Sequence, residues 1–186
     1  MSPAVPYDQQ KLAERIAREI GVDFGTVKTN EGSDEEYIVN TGQACRACKT
    51  HLYSTLEAIA GKHRNIEDIR LYNGTNADDT KDSTRVGLVA ARDFGVRSPL
   101  NEITKLQVRQ AAKHMGLSNW NYAASPCLRS RLALGVPATS EHLQRIEEAE
   151  LFVRNQCKDV ISESTNLRVR LLSGGRACVE VDQEIL

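Results

Sequence analysis

At 186 residues the chain can bury one full hydrophobic core, and 24 Lys plus Arg against 25 Asp plus Glu leave a net charge of −1. That balance excludes the strong positive field of a dedicated nucleic-acid or anionic-membrane binder. No apolar run approaches a membrane span, and Met1 to Asp8 lack the regions of an export signal. The five cysteines therefore predict metal binding or catalysis in a soluble, cytoplasmic, reducing setting, rather than a disulfide framework.

Residues 8–20 place Leu12, Ile16 and Ile20 at helical spacing, and Gly21 stops the run. Val22 to Thr29 then reads as a short strand and Asn30 to Asp34 as a turn. A helix is predicted from near Cys45 to Gly61, with Leu52, Leu56 and Ile59 on its apolar stripe. Ile66 to Tyr72 is a second predicted strand, followed by a polar loop from Asn73 to Asp82. Arg85–Phe94 and Lys105–Met115 read as helices, each closed by glycine (Gly95, Gly116). Strands alternating with helices at these lengths predict an α/β fold with a mostly parallel sheet.

Beyond Arg131 a helix capped by Thr139 or Ser140 runs to about Gln156. Leu143, Ile146 and Val153 form its stripe, and Glu150 falls within it, which places that carboxylate at the margin of the stripe or against a partner. Leu167 to Val181 reads as a hairpin around Ser173-Gly174-Gly175. A three-residue loop aligns Leu167, Val169 and Leu171 with Ala177, Val179 and Val181 on one face. It sets Arg168, Arg170 and Glu180 on the other, with Arg168 opposite Glu180. Two arginines two apart on a strand make a fork for phosphate or carboxylate, or else a solvated face with an ordinary ion pair.

Three features carry chemistry. Pro126 forces Cys127 onto a loop or helix start, and Arg129 and Arg131 nearby would favour its thiolate. Cys45-Arg46-Ala47-Cys48 lacks the further ligands of a zinc site. With Cys127 it would give three corners of an iron–sulfur cluster; a redox dithiol or two core cysteines are the other readings. Asn76, Asp78 and Asp79 follow a predicted parallel strand, where open α/β sheets bind ligands, and would face Mg²⁺ or a nucleotide; the other reading is a polar turn.

Taken in order, Cys45-Arg-Ala-Cys48-Lys49, Asn73-Gly-Thr-Asn-Ala-Asp-Asp79, Gly95-Val-Arg-Ser-Pro-Leu100, Ala124-Ser-Pro-Cys-Leu-Arg-Ser-Arg131, Leu167-Arg-Val-Arg170 and Val179-Glu180 resemble the ATP-dependent sacrificial sulfur transferases of the LarE type, within the PP-loop ATP pyrophosphatases. The resemblance implies a Rossmann-like nucleotide-binding domain over residues 1–124 and a small C-terminal α/β domain over 125–186. It implies that ATP and Mg²⁺ activate a substrate carboxylate as an adenylate, that Cys127 attacks it, and that carbon–sulfur cleavage leaves a thiocarboxylate. The family's known substrate is a pyridinium biscarboxylate mononucleotide, a precursor of the nickel-pincer cofactor. Members with cysteines at the positions of Cys45, Cys48 and Cys127 resemble carriers of a [4Fe-4S] cluster. Ser130, Arg131, Arg168, Arg170 and Glu180 match the substrate end of the site, and Glu150 a metal position.

The family's Ser-Gly-Gly-x-Asp-Ser pyrophosphate loop is not found in this sequence, and Met1 to Pro6 resembles the segment that follows it. The expectation is therefore a chain lacking the first strand–helix unit, without ATP turnover by itself, acting as a homo-oligomer or with a partner that supplies the loop. A PP-loop tRNA thiolase and a non-catalytic subunit that has lost ATP binding are the competing expectations. Neutral charge weighs against the first, since RNA affinity needs many phosphate contacts.

Overall fold

The computed structural model of the chain describes residues 2–62, 69–82 and 85–185. It is a mixed α/β fold, mostly helical, with one two-stranded antiparallel sheet. Helix α1 (Tyr7–Ile20) follows Pro6 and ends where Gly21 turns left-handed at φ 75°. Asp34 opens α2 (Glu35–Val39) by accepting from the backbone N–H groups of Glu36 and Tyr37. The short helix ends at Asn40, also left-handed at φ 57°. Helix α3 (Ala44–Ala60) buries Ala44, Ala47 and Tyr53. Then come α4 (Ala77–Thr80), α5 (Gly87–Asp93) and α6 (Lys105–His114), the last opened by a capping box between Thr104 and Gln107. A 3-10 turn at Leu128–Arg131 leads to α7 (Ser140–Gln156), whose cap is Thr139.

The hairpin β1 (Leu167–Leu172) and β2 (Arg176–Val181) takes the expected register, Arg168 opposite Glu180 and Val169 opposite Val179. Ser173, Gly174 and Gly175 form its loop, and the two glycines supply the positive φ the turn needs (77° and 73°). The shared apolar face is buried only on β1, which lies against α7. Val179 on the outer strand remains 50% exposed.

The parallel sheet expected for the first 124 residues is not present among the described residues. Val22 to Thr29 forms no ladder, and Val22 and Phe24 are exposed. Apolar and polar alternation marks a strand only where a neighbouring strand accepts its backbone, and no strand among the described residues pairs with this segment. The predicted strand Ile66–Tyr72 lies partly outside the described residues. Its end makes one isolated parallel bridge, Tyr72 to Arg97.

One core gathers Ala4, Tyr37, Ala44 and Ala47 with Leu128, Leu132, Leu143 and Ile146. It therefore runs across the boundary expected at residues 124/125. A smaller cluster packs α5 on α3 through Tyr53, Ala90 and Ala91, with the Tyr53 and Phe94 ring centroids 5.8 Å apart. No described helix is long and apolar enough to cross a membrane.

Candidate functional site

Pro126 ends the extended run before Cys127, whose φ and ψ of −61° and 151° start the 3-10 turn. The turn is pinned from several sides. Leu128 N–H donates to the Ala4 carbonyl (2.7 Å), and the Ser130 hydroxyl donates to the Cys127 carbonyl (2.8 Å). Arg131, 2% exposed, donates to the carbonyls of Pro126 and Cys127. The loop is thus held as a rigid shelf that presents one half-buried thiol.

Cys127 opens onto a cavity of about 630 Å³ that Cys45, Cys48, Tyr37 and Glu31 also line. Cys48 sits half-buried against the core one helical turn after the exposed Cys45, so the Cys-x-x-Cys spacing brings both to one end of α3. Burial pushes the Cys48 thiol up to about 11, and the charges of Glu31 and Cys127 push the same way. Arg129 donates to Cys45 Sγ (2.7 Å) and to Asn40 Oδ1 (2.6 Å). Asn40 in turn donates to the carbonyls of Ala133 and Val136, both at 3.1 Å. A chain of contacts therefore runs from the C-terminal segment through Asn40 and Arg129 to the first cysteine.

The far wall is the loop Asn73–Thr75. Asn73 N–H donates to the Arg97 carbonyl (2.9 Å), and the Ser98 hydroxyl donates to Asn73 Oδ1 (2.7 Å). Gly95 to Leu100 thereby fixes the loop against the cavity. Gly87 lets α5 approach the same end of α3: a Cβ there would stand 3.2 Å from Lys49 Cγ and 3.5 Å from the Cys45 carbonyl.

The acidic residues after this loop are engaged with the protein. Asn76 and Asp79 form the capping box of α4, Asp79 pairs with Arg85 (2.9 Å), and Asp78 accepts from the Lys105 N–H (2.8 Å). Only Asp79 among Asn76, Asp78 and Asp79 lines the cavity, so the turn reading describes the other two.

Glu150 is neither at the margin of its stripe nor an open ligand. Its Oε1 accepts from Arg131 Nε (2.9 Å) and from the Val169 N–H (3.0 Å), and the pair is buried, with side-chain exposures of 13% for Glu150 and 3% for Arg131. The Arg131 charge is thus directed to Glu150 and to the carbonyls of Pro126 and Cys127 rather than to the Cys127 thiol. Among the described residues no group of three or more His, Cys, Asp or Glu is gathered closely enough to hold a metal ion. The three thiols share a cavity and are the right donors for an iron–sulfur cluster, but they are not drawn to ligand spacing, and Arg129 donates to Cys45 Sγ.

On the hairpin, Arg170 pairs diagonally with Glu180 and donates to the Ser130 carbonyl (2.9 Å), so it ties the sheet to the Cys127 shelf. The Arg170 hydrogen bond holds the Glu180 carboxyl below its ordinary range. A smaller cavity of about 370 Å³ is lined by Arg15, Tyr122, Arg131 and Glu150, with no cysteine among its described lining residues.

No family model matches the chain. It is 37% identical over 179 residues to an uncharacterized protein of Synechocystis sp., a match covering 92% of the chain and 64% of that relative. It is 31% identical over 145 residues to the pyridinium-3,5-bisthiocarboxylic acid mononucleotide synthase of Lactiplantibacillus plantarum, covering 77% of the chain and 51% of the synthase. The chain is similar to a thiocarboxylate synthase. An uncharacterized protein of Methanocaldococcus jannaschii is 30% identical over 129 residues, covering 68% of the chain and 49% of that protein. The chain spans about two thirds of the first relative's length and about half of the other two.

Glu31, Tyr37 and Asn40 are not among the expected site residues, yet Glu31 and Tyr37 line the thiol cavity and Asn40 orders its arginine. Glu31 lies in what reads as a polar turn, where a carboxylate is expected in solvent. A signal for Tyr37 was present: Asp34 followed by Glu35 and Glu36 is a helix start, which sets Tyr37 on the first turn.

Proposed function

We propose that this chain takes part in sulfur transfer to an activated carboxylate of a nucleotide, with Cys127 as the reacting sulfur. The observation that carries this reading is the cavity shared by Cys127, Cys45 and Cys48 beside the Asn73–Thr75 loop. The similarity to a synthase of a bisthiocarboxylic acid mononucleotide supports it. ATP with Mg²⁺ would supply the adenylate, as the LarE resemblance implies.

In this reading the Cys127 thiolate attacks the acyl carbon, the bond from that carbon to the adenylate oxygen breaks, and AMP leaves with the electron pair. A base then removes the Cα hydrogen of residue 127. The Cβ–S bond breaks, the sulfur leaves on the substrate as thiocarboxylate, and dehydroalanine remains; no outside oxidant or reductant is required. The pinned carbonyls of Pro126, Cys127 and Ser130 fix the direction of the thiol throughout. Arg168, whose charge acts on Glu180 and Asp182, would take the nucleotide phosphate in this reading, as the LarE resemblance implies, while Arg170 ties the hairpin to the shelf.

The co-location of three thiols favours one second reading, in which a cluster on Cys45, Cys48 and Cys127 carries the sulfur. Among the described residues the thiols are not gathered to ligand spacing, so they would have to draw together to hold such a cluster. Iron and sulfide analysis after anaerobic reconstitution separates the two: retained iron that is lost in Cys45→Ala would favour the cluster.

The main reading is tested by giving the chain a preformed aroyl adenylate and mapping the adduct by peptide mass spectrometry, which bypasses ATP use. Acylation is expected at Cys127 and is abolished in Cys127→Ser. Acylation at Cys45 or Cys178, with Cys127 unmodified, would reject Cys127 as the nucleophile.

A further inference from the structure

Glu31 is 1% exposed and lines the thiol cavity, and neither carboxylate oxygen has a close, well-aligned hydrogen-bond partner among the described residues. Tyr37, also 1% exposed, lines the same wall, and its hydroxyl is equally unpartnered. Buried polar groups are nearly always paired, so two orphans side by side on a cavity wall mark a place where a ligand completes the hydrogen bonding. None of the nearby cations pairs directly with Glu31: His51, whose charge is felt at Glu31, is held by Asp34 at 2.8 Å. Arg129 is held by Asn40 and Cys45, Arg85 by Asp79 and Asp82, and Lys49 lies over the Tyr53 ring at 5.9 Å.

Desolvation works to raise the Glu31 pKa, but the hydroxyls of Ser2 and Thr29 outweigh it and hold the carboxyl below its ordinary value. The Ser2 and Thr29 hydroxyls and its own backbone N–H steady the anion from one side, but among the described residues no close, well-aligned donor caps either carboxylate oxygen. Leu52, Leu88 and Val27 make the surrounding wall apolar, and two tyrosine rings, Tyr37 and Tyr53, border it. A fixed anion with free acceptors, flanked by aromatic faces in an apolar pocket, is complementary to a cationic aromatic ring.

We infer that Glu31 and Tyr37 form the recognition end of this cavity for the pyridinium ring of a mononucleotide substrate, Glu31 supplying the counter-charge and Tyr37 a hydrogen bond to a ring substituent. The inference rests on the sulfur-transfer reading for its substrate class, but not on Cys127 chemistry. It places the ring on the α2 side of the cavity, with the thiols of Cys48 and Cys127 close by.

Calorimetric titration of the full chain with oxidised and reduced nicotinamide mononucleotide isolates the ring charge. The ribose phosphate is identical in the two forms, and only the oxidised ring is cationic. The oxidised form is expected to bind roughly tenfold more tightly, the size of one desolvated charge-assisted contact. Glu31→Gln, a near-isosteric change, should erase that preference, Glu31→Asp should keep part of it, and Tyr37→Phe should weaken binding while keeping it. Arg168→Ala should weaken both forms alike. Equal binding of the two forms by the native chain, or an undiminished preference in Glu31→Gln, would overturn the inference and make Glu31 a water-capped wall carboxylate. Failure of both forms to bind would overturn it too, while acylation of Cys127 separately decides the sulfur-transfer reading. If Glu31→Gln fails to fold by circular dichroism, Glu31→Asp and Tyr37→Phe carry the comparison.

Discussion

Cys48 shows how the cavity wall is tuned at the level of single residues. In the folded chain its thiol is pushed from 9.0 to about 11, first by burial and then by the charges of Glu31 and Cys127. Between those two pH values the unfolded chain releases a proton that the folded chain retains. Stability should therefore be unaffected below about pH 9, fall as pH rises from 9 to 11, and level off above that. Each pKa unit corresponds to about 1.4 kcal/mol. Tyr37, raised chiefly by burial, adds a loss of the same sign that begins near pH 10 and continues after the Cys48 contribution has levelled off. Urea unfolding across this range should show the alkaline fall, and Cys48→Ala should flatten its first part. The Arg131–Glu150 pair makes a different prediction. Both side chains are buried, so removing one strands the other without a counter-charge. Glu150→Ala is expected to cost about 3–5 kcal/mol, read from the same denaturation curves. A loss under about 1 kcal/mol would make the pair an ordinary surface contact. From the sequence, Arg131 beside Cys127 suggested an arginine serving the thiol; its true partner lies 19 residues away on α7, which local spacing does not reveal.

Asn40 shows the same logic at the level of elements. It closes α2 in the left-handed region, which glycine tolerates best, yet its side chain makes three hydrogen bonds that glycine cannot. Asn40→Gly keeps the backbone turn and removes those bonds, so it should cost about 1–3 kcal/mol. It should also free Arg129, quickening alkylation of Cys45 by iodoacetamide; an unchanged Cys45 rate would show that Arg129 is held by other contacts. The elements that were legible are those whose signal is local. The stripe of α1, the Thr104 and Thr139 caps, and the Ser173-Gly174-Gly175 loop each specify their structure within a few residues. Val22–Thr29 was misread because a strand is completed by its neighbour, and its own alternation cannot supply one. The hairpin register was legible for the reason that one slip would turn Leu167 and Val169 out of the core.

Across the whole molecule, one core joins residues from Ala4 to Ile146 and sets the Cys127 shelf against the start of α3. The thiols were legible as a group, because Cys-x-x-Cys at a helix start and a thiol after proline each announce reactive sulfur. Their polar counterpart was not: Glu31 and Tyr37 become a site only when the 3-10 turn before α2 folds onto α3 and the N-terminal segment covers it. Arg168 and Arg170 likewise look equivalent in sequence and differ in the fold. Arg170→Ala should lower both stability and nucleotide binding by untying Ser130, whereas Arg168→Ala should lower binding alone. The central claim is that the sulfur of Cys127 itself leaves on the substrate. Peptide mass spectrometry of the chain after thiocarboxylate release from a bound acyl adenylate tests it most directly. The peptide bearing residue 127 is expected to lose the mass of H₂S and become dehydroalanine, while Cys45 and Cys48 remain thiols. An intact Cys127 alongside newly formed thiocarboxylate would contradict it.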